Sequence, residues 1–147
     1  PGDGYLAQWR AWSAKYPDVA FVGVGGYANH DDVKKWHADN AAQFPFALYS
    51  DPAGASARPA KPMDEMSDEE KAAFRAASSA HYAKIFGQKL GGVMSPVPTT
   101  IVFDAAGKLV GWSAGFGDSY SEMLGNLFLR AGVKLADADR PQRVWTA

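Results

Sequence analysis

The order of apolar and polar residues predicts helices that alternate with strands. Four aromatic residues recur at the spacing of one helix face, at Tyr5, Trp9, Trp12 and Tyr16. They predict a first amphipathic helix, which Pro17 ends because proline cannot continue a helix. The run from Val19 to Val24 is apolar without alternation, which is typical of a parallel strand that is covered on both faces.

A second helix and a second strand follow. Either Asn29 or Asp31 can cap the helix, and Pro45 ends it. Its inner side is predicted at Val33, Trp36, His37 and Asn40. The short apolar run 46–49 predicts a strand, which the turn residues 51–54 close.

Two further helices have capping-box spacing at their starts. Residues 52–66 are rich in alanine, proline and single charges and predict a surface insertion. The pair Ser67 and Glu70 then starts a helix that extends to Gly87. Ser119 and Glu122 have the same spacing and start a last helix, whose buried face is predicted at Met123, Leu124, Leu127 and Phe128. The tail, residues 134–147, is predicted to be irregular.

A β-hairpin precedes that last helix. Thr99 to Phe103 is β-branched and aromatic and predicts a buried strand, and Leu109 to Trp112 predicts its antiparallel partner. The turn between them contains Gly107, which can adopt the positive φ that a tight loop needs. Helices alternating with strands, followed by a hairpin, predict an α/β fold with a mixed sheet.

The entrance to this hairpin is the predicted binding surface. Proline has no N–H to donate to a ladder, so Pro98 stands at the end of the first strand, where its fixed φ shapes whatever approaches. An exposed aromatic side chain on an edge hairpin can mark a partner surface. The candidate substrate- or partner-binding residues are therefore Val97, Pro98, Thr99 and Trp112.

Composition and charge exclude several classes of partner. The 147 residues suit one domain, and 15 basic residues balance 16 acidic ones without a basic stripe. We therefore expect neither nucleic acid nor anionic lipid as a partner. No apolar run is long enough to span a membrane. The chain has no cysteine, which excludes disulfides, thiolate metal sites and cysteine nucleophiles within these residues.

Other candidate chemistry is weaker. One cluster carries metal-ligand side chains: His30, Asp31, Asp32 and His37. Its spacing matches no ligand pattern, so a helix cap with acids near the positive end of the helix dipole is the favoured interpretation. His81 and Tyr82 could form an acid–base pair, but a histidine on a helix face is more often simply packed, and packing is the favoured interpretation. The glycines at 23–26 do not continue as a nucleotide-binding fingerprint. No metal and no cofactor is expected.

One stretch resembles a known family. The chain carries G-V-x-x-x-V-P-T-T-x-V-F-D-x-x-G-K-L-V from residue 92 and a D-P-x-G turn from residue 51. With the order of elements, these motifs resemble the thioredoxin-like fold, and most of all the redoxins, which are the TlpA-like thiol-disulfide oxidoreductases and peroxiredoxin relatives. The resemblance implies a three-layer α/β/α sandwich with a mixed sheet over residues 1–133. It also implies a bacterial, periplasmic or extracytoplasmic protein of cell redox homeostasis.

In that family the proline at position 98 is cis, and the residue before it, here Val97, offers its backbone to an extended substrate beside a Cys-x-x-Cys pair. This chain departs from the pattern, because the second cysteine would fall near Pro1 or Gly2 and neither residue is cysteine. The strand that a right-handed βαβ crossover needs ahead of the first helix is missing as well.

Three explanations of this departure stay open. The chain is a cysteine-free domain that binds or scaffolds a protein or peptide partner without catalysis. Alternatively, it is the C-terminal portion of an oxidoreductase whose Cys-x-x-Cys segment lies upstream of Pro1. In the third case, it is a subunit of a larger assembly that supplies the missing strand. Whether the protein is an enzyme depends on which explanation holds.

Overall fold

A computed structural model describes residues 4–26, 29–51, 61–85, 99–115 and 117–146. The chain divides into two compact units, Pro1–Ala77 and Ser78–Ala147. The loop with Val97 and Pro98 lies outside the described residues, as does most of the predicted insertion.

The described residues form a mixed α/β structure, as predicted. Its helices are α1 (Gly4–Lys15), α2 (His30–Asp39), α3 (Asp68–Ile85) and α4 (Tyr120–Arg130), and its strands are β1 (Val22–Gly26), β2 (Ala47–Asp51), β3 (Thr99–Phe103) and β4 (Leu109–Ala114). The order of these elements is the predicted one. The strands form two two-stranded sheets, β1–β2 and β3–β4, whereas the sequence predicts one mixed sheet. Among the described residues, no strand precedes α1.

In the first unit, β1 and β2 pair in parallel, with Val22 opposite Ala47 and Val24 opposite Tyr49. Helix α2 connects them, and Asn29 caps it by accepting a hydrogen bond from the Asp32 amide at 2.8 Å. Of the two caps that the sequence allows, Asn29 is the one used.

Aromatic rings form much of the core of this unit. Trp9 of α1 lies 5.2 Å from the ring of Phe21 and 5.9 Å from that of Phe46, and Phe44 lies 5.1 Å from Phe46. Trp12 and Tyr16 are buried beside each other. Trp36 is 44% exposed, although its ring contacts Phe44, so it belongs to the rim of the core.

Among the described residues, α2 covers one face of the first sheet, and side chains on the opposite face are exposed. A side chain of α2, Val33, packs onto Gly25, while the alternate residues Val22, Val24 and Tyr49 are 45%, 48% and 62% exposed. The prediction that β1 is covered on both faces is therefore wrong for this structure. The reason is the two-residue alternation of a strand, which places these three side chains opposite the face that α2 covers.

In the second unit, β3 and β4 form the predicted antiparallel hairpin, with Thr99 opposite Ala114 and an irregularity between Val102 and Phe103. A carboxylate oxygen of Asp104 accepts hydrogen bonds from the amides of Ala106 and Lys108, both at 2.9 Å. Gly107 has φ +76°, as the turn requires. The hairpin prediction is confirmed.

Helix α4 covers one face of the hairpin. Leu124, Leu127 and Phe128 are buried, as predicted. The predicted capping box is wrong, because Ser119 makes no side-chain cap bond. The carboxylate of Glu122 instead accepts hydrogen bonds from the tail amides of Gln142 at 3.2 Å and Arg143 at 2.6 Å.

The tail contains a short 3-10 helix at Asp137–Asp139; the rest of its described residues are irregular, as predicted, and the tail is anchored along α4. Asn126, 1% exposed, donates to the carbonyl oxygen of Arg143 at 2.9 Å and accepts from the amide of Trp145 at 2.7 Å. The guanidinium of Arg130 lies 5.0 Å from the ring centre of Trp145.

The capping box at the start of α3 is confirmed. The Ser67 amide donates to Glu70 at 2.7 Å, and the Glu70 amide donates to the Ser67 hydroxyl at 3.2 Å. The ammonium of Lys61 lies 2.8 Å from the same carboxylate. Within the described residues, no helix combines the length and the apolar character that crossing a membrane requires.

The charge on Glu70 gives a pH-dependent prediction. The hydrogen bond from Lys61, and then that from the Ser67 amide, lowers the pKa of Glu70 below its ordinary value. A lowered folded-state pKa stabilises the fold above the unfolded-state value, and this contribution is lost as the pH falls through the folded-state pKa. Glu70→Gln can keep the capping bond but loses the charge. The melting temperature difference between wild type and Glu70→Gln should therefore shrink between about pH 6 and about pH 2, measured by circular dichroism. Glu69→Gln is the matched control, and an equal pH response in both variants would contradict the assignment.

The anchored tail gives a second prediction. Asn126→Ala leaves the Arg143 carbonyl and the Trp145 amide without their buried partner, so it should lower the free energy of unfolding by about 1–3 kcal/mol. The Trp145 amide should also exchange its hydrogen faster. Gln142→Ala is the control, because Gln142 contacts Glu122 through its backbone. Unchanged exchange at Trp145 in the Asn126→Ala variant would show that the tail is not held this way.

Candidate functional site

Two of the four predicted binding residues lie in the described hairpin. Thr99 is the first residue of β3, and Trp112 lies in β4 opposite Ile101. Val97 and Pro98 lie outside the described residues, so their geometry stays a prediction.

Thr99 and Trp112 lie on the same face of the hairpin. Thr99 pairs with Ala114 and Ile101 pairs with Trp112, which makes Thr99 and Trp112 diagonal neighbours, typically about 7–8 Å apart. Both side chains are half-buried. The predicted pair is therefore brought together at the end of β3 that follows Pro98.

The opposite face of the hairpin is the one that α4 covers. The hydroxyl groups of Thr100 and Tyr120 are hydrogen-bonded at 2.8 Å, and the Ser113 hydroxyl donates to the Met123 sulfur at 3.7 Å. Leu127 packs against Gly111, where a Cβ atom would lie 2.6 Å from its methyl group. These contacts fix which face of the hairpin α4 occupies and leave Thr99 and Trp112 on the other.

The two strands of the hairpin carry uncharged side chains. Strands β3 and β4, with sequences TTIVF and LVGWSA, contain no acid, base or thiol. They offer backbone amides, a threonine hydroxyl and an indole ring. Such groups bind an extended chain by hydrogen bonds and apolar contact, and none of them titrates near neutral pH.

A second candidate lies in the first unit, between α2 and β2. A cavity of about 220 Å³ is lined by Leu48, Tyr49 and Ser50 of β2, and by Val33 and three nitrogen-bearing side chains of α2: His30, Lys34 and His37. The Nδ1 atom of His30 lies 3.3 Å from the Ser50 hydroxyl. The Nε2 atom of His37 lies 3.2 Å from the Phe44 carbonyl oxygen. Because a carbonyl only accepts, Nε2 is the protonated nitrogen of His37.

The cavity lacks a catalytic arrangement. A serine nucleophile needs a base that a third group orients, and no hydrogen bond in the described residues joins His30 to a carboxylate. Across the same residues, no group of three or more histidine, cysteine or acidic side chains is placed to hold a metal ion. His81 contacts the ring of Tyr82 at 5.2 Å, which is a packing contact.

Sequence reasoning missed the cavity although its signal was present. His30, Lys34 and His37 are spaced by four and then three residues, so they share one face of a helix. From the sequence, the histidines are interpreted as side chains of a capped helix, with His37 on its inner side, or as metal ligands. The sequence alone does not show that β2 lies beside that helix face.

The seating of α2 on β1 can be tested directly. A Cβ atom on Gly25 would lie 2.6 Å from a methyl group of Val33, whose side chain is stiff in a helix. Gly25→Ala should therefore lower the free energy of unfolding by about 1–3 kcal/mol, measured by urea denaturation. Gly117→Ala is the control, because no atom lies within 4 Å of its added Cβ. Equal stability of the two variants would contradict the close packing of α2 on the sheet.

Comparison with known proteins finds no matching family model, no matching curated protein and no matching solved structure. The thioredoxin-like resemblance therefore stays a prediction from the motifs of this chain.

Proposed function

We propose that the protein is a thioredoxin-like domain without redox cysteines, which binds an extended segment of a protein partner at the mouth of its hairpin. The mouth consists of Val97, Pro98 and Thr99, with Trp112 beside them. The domain binds or scaffolds its partner and performs no thiol chemistry with these residues.

The observation that carries the proposal is the hairpin that follows Pro98. Thr99 begins β3 directly after the proline, and Trp112 lies diagonally across from it on the face opposite α4. An extended chain that approaches this end of the strand meets the backbone of a β-strand, which is what strand addition uses, together with an aromatic side chain. Thiol exchange requires a thiolate, and the 147 residues contain no cysteine.

The proposal is tested with a permanently unfolded polypeptide whose cysteines have been reduced and carbamidomethylated, so that it cannot exchange thiols. Titrated into the ¹⁵N-labelled chain, it should shift the signals of the Thr99 amide and the Trp112 indole. Pro98→Ala removes the ring that fixes the backbone beside Val97. It should weaken this binding by about three- to tenfold, the effect of losing one or two hydrogen bonds between the Val97 backbone and the bound chain.

Pro62→Ala is the matched control, because Pro62 is exposed and precedes a short 3-10 helix at Met63–Glu65. It should leave the binding unchanged. Signal changes that avoid Thr99 and Trp112, or equal affinities of the two proline variants, would contradict the proposal.

A second candidate function is thiol-disulfide exchange by a longer protein whose Cys-x-x-Cys segment lies upstream of Pro1. It is favoured by the two-stranded sheets of the described residues, because a sheet of two strands alone is marginally stable. A further strand, from an upstream segment or from a partner chain, would pair with these strands.

Intact mass and N-terminal sequencing of the protein from its natural source distinguish these cases. An upstream Cys-x-x-Cys with alkylation-sensitive disulfide reductase activity would replace the first proposal, and a partner chain that co-purifies would indicate an assembly.

A further inference from the structure

One edge of strand β2, beside the cavity under α2, has no partner strand among the described residues. Within the described residues β2 pairs with β1 alone. The carbonyl oxygen of Tyr49 lies 3.7 Å from the position of a Cβ atom on Gly25, so Tyr49 directs its backbone groups toward β1. Successive residues of a strand direct their backbone groups to opposite sides. The amides and carbonyls of Leu48 and Ser50 therefore point away from β1, toward the free edge.

The cavity at this edge has a positive character. Lys34 lines it, and none of the described residues forms an ion pair or hydrogen bond with the Lys34 ammonium. Its neighbour Lys35 is instead paired with Asp39 at 2.5 Å. Asp31 and Asp32 lie in the first turn of α2, but neither lines the cavity.

The size of the cavity limits what it can hold. Pockets that enclose whole small ligands measure about 300–1,000 Å³, and this one measures about 220 Å³. It suits one side chain better than a complete cofactor. Its lining offers the Lys34 ammonium and the hydrogen-bonded pair of His30 and Ser50, which keeps one further donor, so these groups can donate hydrogen bonds to a carboxylate.

We propose that β2 binds an extended peptide as an added strand, with an acidic side chain of the peptide in the cavity between α2 and β2. Leu48 and Ser50 supply the backbone hydrogen bonds, and Lys34 supplies the charge that selects the acid. His30 and Ser50 hold the far side of the carboxylate. This surface lies wholly within the first unit and does not depend on the hairpin mouth.

The experiment uses three short host peptides of alternating threonine and valine that differ at one central residue, which is glutamate, glutamine or lysine. Titration into the full-length ¹⁵N-labelled chain should shift the Leu48 and Ser50 amides. The glutamate peptide should bind about two- to fivefold more tightly than the glutamine peptide, as expected of one solvent-accessible ion pair, and the lysine peptide should bind most weakly. Added salt should reduce the difference.

Lys34→Gln and Lys35→Gln form the matched pair of variants, because they make the same change at adjacent helix positions. Lys34→Gln should abolish the preference for glutamate over glutamine, while Lys35→Gln should preserve it. Retention of the preference in Lys34→Gln would contradict the assignment of Lys34. Both variants keep the β2 edge, so binding of the glutamine peptide should be the same in each.

Methylated peptides test strand addition without altering the protein. N-methyl groups on the alternate residues that face β2 should lower the affinity about tenfold or more, since each removes a backbone hydrogen bond, and those on the other residues should have little effect. Equal effects of the two methylation patterns would overturn strand addition.

Two other results would also overturn the proposal. Acetate that binds as tightly as the glutamate peptide would show that the cavity is a simple anion site. Failure of all three peptides to bind would refute it, and would leave the binding of unfolded polypeptide at the hairpin mouth to be judged by its own titration.

Discussion

Both units depend on the same kind of contact, in which a helix side chain packs directly against a glycine of a strand. Val33 of α2 rests on Gly25 of β1, and Leu127 of α4 rests on Gly111 of β4, each at a point where a Cβ atom would lie 2.6 Å away. In the part of the chain that the structure describes, each sheet has two strands, and so small a sheet needs a helix against it to be stable. The two glycines bring the helices close enough to bury Val33 and Leu127.

The positions of α2 and α4 determine which faces of the strands these helices leave uncovered. Because α4 occupies the Thr100 and Ser113 face of the hairpin, Thr99 and Trp112 share the other. Because α2 lies against the first sheet, its stripe of His30, Lys34 and His37 lines the cavity at the edge of β2. Both surfaces offer backbone groups and side chains that can form hydrogen bonds, and these groups support our proposal that the protein binds extended chains.

Local rules predicted the elements, whereas contacts between distant residues decided the details. Periodicity and turn residues gave the helices, the hairpin and the Asn29 and Ser67 caps, each of which forms within a few residues. The cap at Ser119 failed because Glu122 bonds to amides about 20 residues later in the chain. The burial of Asn126 likewise depends on the packing of the tail along α4, and the exposure of Val24 depends on which face of the sheet α2 covers. The β2 cavity could not be predicted for the same reason, although its helical stripe could.

The thioredoxin-like assignment depends on the segment Val97-Pro98-Thr99, so the isomer of the Val97–Pro98 bond tests it most directly. The difference between the Cβ and Cγ carbon shifts of Pro98 reports that isomer in a ¹³C-labelled chain, with the Pro98→Ala variant to assign the signal. We expect a cis bond, as the family resemblance implies. A trans bond would contradict the resemblance and the binding mouth built on it.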